Sequence, residues 1–105
     1  MINVTEEEFQ NATAQGLVLV DLWAPWCGPC QQLAPELAKI DSEFEELIVA
    51  KVNMDQHPNV GRDLKIRGIP SLKLFKDGEI VYEATGFGAS TIKNLRAALK
   101  ENLDA

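Results

Sequence analysis

Trp23-Ala24-Pro25-Trp26-Cys27-Gly28-Pro29-Cys30 is the stretch on which the rest of the chain turns. It follows an apolar run, Leu17 to Leu22, and precedes a segment whose apolar residues recur at helical spacing. The protein's two cysteines both lie here, where a strand hands over to a helix. A Cys-x-x-Cys pair at such a junction reads as a redox site. Residues three apart at the start of a helix are surface neighbours, close enough for a disulfide without backbone movement. The free N–H groups and partial positive charge of the helix N-terminus favour a thiolate and so a nucleophile. A structural staple is the plainer reading, but closing so short a loop restricts the unfolded chain by only about 2 kcal/mol. Half of a zinc site is another, and it lacks ligands: His57 is the one further obvious donor.

A length of 105 residues suits a single domain, 1–105, with one core. Ten basic against sixteen acidic residues give a formal charge of −6, which argues against partners such as nucleic acid or an anionic membrane surface. The first sixteen residues include Glu6-Glu7-Glu8 and no long apolar stretch, so no signal peptide is expected, and no run approaches the length of a bilayer span. The expected setting is therefore a reducing one, the cytoplasm, or a reducing organelle if a targeting segment has been removed. There a cysteine pair is more often catalytic than structural.

Ile2-Asn3-Val4 reads as a short strand. Thr5 and Glu8 form a capping-box pattern, so a helix should follow to about Ala14, with Gly16 just past it. Leu17 to Trp23 is nearly all apolar, which places it mid-sheet with both faces covered. Leu33, Leu37, Ile40 and Phe44 mark one face of the helix beyond Cys30, with Pro35 expected to kink it. Leu47 to Val52 is a second apolar run, so strand, helix and strand make a parallel crossover. Pro58 opens a short helix through Leu64. Leu72–Phe75 and Ile80–Tyr82 flank Asp77-Gly78, a hairpin signal that makes these strands antiparallel. After Gly86-Phe87-Gly88, Ser90 can cap a last helix with the face Ile92, Leu95, Leu99 and Leu103. The order β-α-β-α-β-α-β-β-α predicts an α/β fold with a mixed five-stranded sheet and helices on both faces.

The Trp23–Cys30 stretch resembles the active-site motif of the thioredoxin family, and the resemblance extends over essentially the whole chain. Arg67-Gly68-Ile69-Pro70-Ser71 is similar to the family's cis-proline loop, and Phe75-Lys76-Asp77-Gly78 to its hairpin. Membership would imply the thioredoxin fold and a dithiol–disulfide oxidoreductase that reduces substrate proteins. Cys27, expected at the exposed tip of the helix, would attack a substrate disulfide; Cys30, better covered, would resolve the mixed disulfide. Gly28 and Pro29 separate them, and the absence of a histidine there favours a reductant.

Asp21 is the one charge in an apolar strand, so burial should raise its pKa. The resemblance implies that it lies beneath the cysteines as a proton acceptor for Cys30, with Lys51 beside it. Taken alone, Pro70 would more often be trans; the resemblance makes it cis, in a loop whose backbone pairs with extended substrate. Trp26, Ile69 and Gly86 would complete a shallow apolar docking surface, with Trp23 packed beneath. His57 reads as a solvated residue, Glu43, Glu45 and Glu46 as a solvated helix end, and Met54 as packing.

Several positions depart from the family pattern. Ser71 stands where threonine is more usual. Lys73 occupies a strand position generally apolar, so either that face is less covered or the lysine stem runs along the surface with its charge in water. Gln31-Gln32 replaces a pair that often includes a basic residue. The resemblance implies a thioredoxin reductase as electron donor, NADPH- or ferredoxin-dependent, and a monomer. No cofactor is expected, since there is neither a Gly-x-Gly-x-x-Gly stretch nor a phosphate loop. A binding module with incidental cysteines, or an oxidant or isomerase on the same fold, are the rival readings.

Overall fold

A computed structural model describes residues 1–103. Its centre is β2, Leu17–Trp23, whose alternate side chains enter two separate cores. Leu17 and Leu19 point to one face and meet Leu33, Leu37 and Ile40 of α2, Gly28–Glu43, and Leu95 and Leu99 of α4, Thr91–Leu103. Val18, Val20 and Leu22 point to the other and meet Val60 of α3, Pro58–Asp63, with Phe9 of α1, Phe9–Thr13, packed alongside. A strand with period two and no polar face can be satisfied only in this way, with helices on both sides.

The sheet has the order β1-β3-β2-β4-β5, where β1 is Ile2–Asn3, β3 Leu47–Asn53, β4 Ser71–Lys76 and β5 Glu79–Thr85. β2 pairs parallel with β3 and antiparallel with β4, β1 joins β3 in parallel, and β4 and β5 form the antiparallel hairpin. Asp77 and Gly78 both adopt positive φ, 49° and 88°, as the mirror-image turn of a tight hairpin requires. The Asp77 carboxylate accepts the Gly16 N–H at 2.8 Å, and the Gly16 carbonyl accepts the Asp77 N–H at 2.9 Å. The turn is thereby tied to the chain entering β2, which helps to hold the β2–β4 register.

Three local features differ from the sequence reading. The capping box forms: Thr5 N–H donates to Glu8 Oε1 at 3.0 Å and Glu8 N–H to Thr5 Oγ1 at 3.3 Å. Regular helix nevertheless begins only at Phe9, because Glu8 and Phe9 bond three residues back, to the carbonyls of Thr5 and Glu6, in a tighter first turn. Glu43 is not merely solvated; both of its carboxylate oxygens pair with the Arg96 guanidinium, joining the end of α2 to α4. Lys73 follows neither expected course. It is 7% exposed, and its Nζ lies 2.6 Å from Oε1 of Glu83, its cross-strand neighbour on β5. A covered stem needs a paired charge, and the half-exposed Glu83 supplies it.

This pair separates two kinds of substitution. Glu83→Gln leaves the Lys73 ammonium without its counter-charge and should lower stability by about 1–2 kcal/mol, whereas Lys73→Met should be neutral or stabilising. Urea unfolding of the two variants against the parent checks the opposite signs.

Candidate active site

The cysteine stretch leaves β2 at Trp23 and turns into α2 with Cys27 as the helix N-cap. Cys27 has extended backbone, φ −86° and ψ 110°, and its Sγ accepts the Cys30 N–H at 3.2 Å. One of the four unsatisfied amides of a helix start is thus aimed at the first sulfur. Gly28 and Pro29 occupy the first two helical positions, where a proline costs no hydrogen bond. Gln31 steadies the loop by donating its side-chain amide to the Pro25 carbonyl at 2.7 Å. The two cysteines are joined as a disulfide, with Cα atoms 5.2 Å apart.

The expected contrast in exposure between the two sulfurs is absent. Cys27 and Cys30 are each 4% exposed. They form a small cluster with the buried Ala24, and Trp23 and Ile69 pack against it. Joined to Cys30 and turned toward its amide, Cys27 Sγ cannot project from the helix tip. The approach remains open on its flanks. Trp26 is 70% exposed, and a Cβ placed on Gly28 would meet nothing within 4 Å.

Period two along β2 puts Asp21 on the face of Leu19, below α2, with Trp23 next on that face and against the cysteines. Asp21 is 2% exposed, and its Oδ1 has no hydrogen-bond partner. Burial pushes its carboxyl up from 3.8 to about 6, against the opposing pull of the Lys51 ammonium. Lys51 is the register partner of Asp21 on β3, and its Nζ lies 4.6 Å from the centre of the Trp23 ring. Trp23 and the half-buried Lys51 also line an opening of about 290 Å3 shared with Asn53 and His57.

The Ile69–Pro70 peptide is cis. The Pro70 carbonyl accepts the Gly86 N–H at 2.7 Å, and Gly86 holds φ at +80°, so these two docking candidates are linked. Among the described residues, the backbone N–H and C=O groups of Arg67, Gly68 and Ile69 show no hydrogen-bond partner. They form a free edge that leads up to the cysteine cluster.

Two contributors were not read from the sequence. Asp55 accepts the Trp26 indole N–H at 3.0 Å, orienting the exposed ring; nothing in the local pattern marks this bond across 29 residues. His57 is not simply solvated, since its Nδ1 accepts the Glu6 N–H at 3.3 Å.

A sulfur that caps a helix start, a second sulfur bonded to it and an adjacent unpaired backbone edge define the class: a dithiol–disulfide oxidoreductase. A thioredoxin family model matches residues 1–101. Thioredoxin of Pseudomonas aeruginosa is 42% identical over 106 residues, covering 98% of this chain and 96% of its own. Thioredoxin of Bacillus subtilis is 38% identical over 88 residues, covering 83% and 85%. Among solved structures, the thioredoxin of Malassezia sympodialis superposes with a TM-score of 0.83 at 26% identity, covering 95% of this chain and 90% of that one. The chain belongs to the thioredoxin family. Membership implies substrates that carry disulfides and a reductase that restores the dithiol. No helix among the described residues is long and apolar enough to cross a membrane.

The raised Asp21 pKa has a definite sign. Between 3.8 and about 6 the folded protein keeps a proton that the unfolded chain releases, so stability falls as pH rises through that window and stays lower above it. In the oxidised protein, the gain from Asp21→Asn should therefore be small at about pH 4 and larger at about pH 8 by on the order of 2–3 kcal/mol. Denaturant unfolding at the two pH values checks this; an equal gain at both would contradict it.

Proposed function

We propose that residues 1–105 act as one monomeric thioredoxin domain that reduces protein disulfides through Cys27 and Cys30. The Cys27 thiolate attacks one sulfur of a substrate disulfide, forming a Cys27–substrate disulfide and expelling the other substrate thiolate. The Cys30 thiolate then attacks Cys27 Sγ, releasing the second substrate thiolate and leaving the Cys27–Cys30 disulfide. Two electrons have passed to the substrate, and a thioredoxin reductase, drawing on NADPH or ferredoxin, returns two. The observation carrying this reading is the Cys30 N–H held 3.2 Å from Cys27 Sγ at the start of α2, which favours the thiolate as attacker and as leaving group.

Asp21 serves as proton acceptor for Cys30, through water, and Lys51 tunes its acidity. Support comes from the burial of Asp21, its pKa of about 6 and its unpartnered Oδ1 on the α2 face. Substrate docks as an added strand along the free backbone edge ending at Ile69 and Pro70, with Trp26 and Gly86 at the sides. Gly28 and Pro29 keep the motif free of a charge that would favour an oxidant, so reduction is the working direction. The working compartment is the cytoplasm or a reducing organelle, and nucleic acid and membranes are not partners, consistent with the charge of −6.

Insulin-disulfide reduction with single-cysteine variants tests the order of attack. Cys27→Ser should abolish turnover. Cys30→Ser should also stop turnover but accumulate a covalent substrate adduct, visible by mass spectrometry and removed by excess dithiol. An adduct on Cys30 in the Cys27→Ser protein, with none on Cys27 in the other, would reverse the assignment.

A further inference from the structure

Beside Ile69 lies a cleft of about 310 Å3 whose apolar lining includes Met54, Pro58, Ile66 and Ile69. Arg62 and Arg67, both exposed, complete it. Arg67 also lines a second opening with Lys65 and the Lys73–Glu83 pair, so the two spaces meet at its side chain. Arg62, Lys65 and Arg67 are three of the ten basic residues of the chain, gathered within six positions. Among the described residues none of the three has a carboxylate within ion-pair distance, whereas Lys39, Lys73 and Arg96 each do. Asp63 stands between them in sequence but lines neither space. Arg62 is also held: its Nη1 donates to Asn59 Oδ1 at 2.7 Å, and Asn59 Nδ2 donates to Glu6 Oε1 at 2.8 Å. On a protein of charge −6, this is a local positive field at the mouth of an apolar cleft.

We infer that Arg62 and Arg67 select substrates, favouring disulfides flanked by acidic side chains. The inference rests on the reductase reading above and names the substrate chemistry of that site. Arg67 lies two positions before Ile69 on the unpaired backbone edge. A substrate strand advancing about 3.3 Å per residue from the cysteines comes level with it some two or three residues from its own reactive cysteine. A carboxylate there meets one or two guanidiniums with no internal carboxylate to displace, while a lysine meets like charge.

The test uses peptide disulfides that differ only in carrying Glu, Gln or Lys at the second and third positions on both sides of the reducible cysteine. Each oxidises the pre-reduced protein, breaking the peptide S–S bond and forming Cys27–Cys30 as two electrons pass to the peptide. Tryptophan fluorescence gives the second-order rate constants. At low ionic strength the Glu peptide should react about fivefold faster than the Lys peptide, the scale of one or two exposed ion pairs. The ratio should fall toward one at about 1 M salt, where the screening length is roughly 3 Å. It should also fall toward one in Arg62→Gln/Arg67→Gln, and persist in Lys93→Gln/Lys100→Gln, which removes the same charge from α4. A ratio of one or below in the parent, one that survives Arg62→Gln/Arg67→Gln, or one lost equally in both double variants would overturn the inference. If no peptide, the Gln peptide included, oxidises the protein, the reductase reading itself fails and this inference with it.

Discussion

Cys27 caps the helix that its own motif begins. That single contact, the Cys30 amide pointing at Cys27 Sγ, is the constraint that gives the rest of the molecule its purpose. A helix start offers amides without partners and a partial positive charge, both of which stabilise a sulfur anion. Because Cys27 is extended while Gly28 is already helical, the two sulfurs, three residues apart, face each other across the first turn. Disulfide closure then needs no rearrangement of the chain.

The sheet supports that contact from below. β2 ends directly beneath α2, and its period-two alternation puts Leu19, Asp21 and Trp23 in sequence along the face that α2 covers. Trp23 carries load in two directions, packing on the cysteine pair and accepting the Lys51 ammonium over its ring. The buried carboxylate of Asp21 is a local cost to the fold, since desolvation outweighs the attraction of Lys51. On the other flank, the chain from Arg67 to Pro70 reaches the cluster through Ile69 and is tied to Gly86 by one backbone hydrogen bond. The cysteine pair, the buried Asp21 and the unpaired backbone edge thus depend on three neighbouring elements rather than on one flexible loop.

What could be read from the residues followed the range of the forces involved. The all-apolar run Leu17–Trp23, the Asp77-Gly78 turn and the Thr5/Glu8 capping box are local signals, and each appears close to where it was expected. The cis state of Pro70 was legible only through family resemblance, because nothing in Ile69-Pro70 itself favours it. The exposure of Cys27 was misjudged because spacing fixes which residues are neighbours but not how far a sulfur is covered by Ala24 and Ile69. Lys73 misled for a related reason: its counter-charge, Glu83, lies across a hairpin whose register a lone strand pattern does not disclose. The bonds from Trp26 to Asp55 and from Glu6 to His57 and Asn59 span 29 to 53 residues, and no local rule foretells them.

The most direct measurement is the pH dependence of Cys27 alkylation in the reduced protein carrying Cys30→Ser, which keeps the backbone amide at position 30 and leaves one thiol to titrate. A midpoint clearly below the ordinary cysteine value of about 8.5 is the result this account predicts. A midpoint at or above that value would mean that the helix start does not stabilise the sulfur anion, and would contradict it.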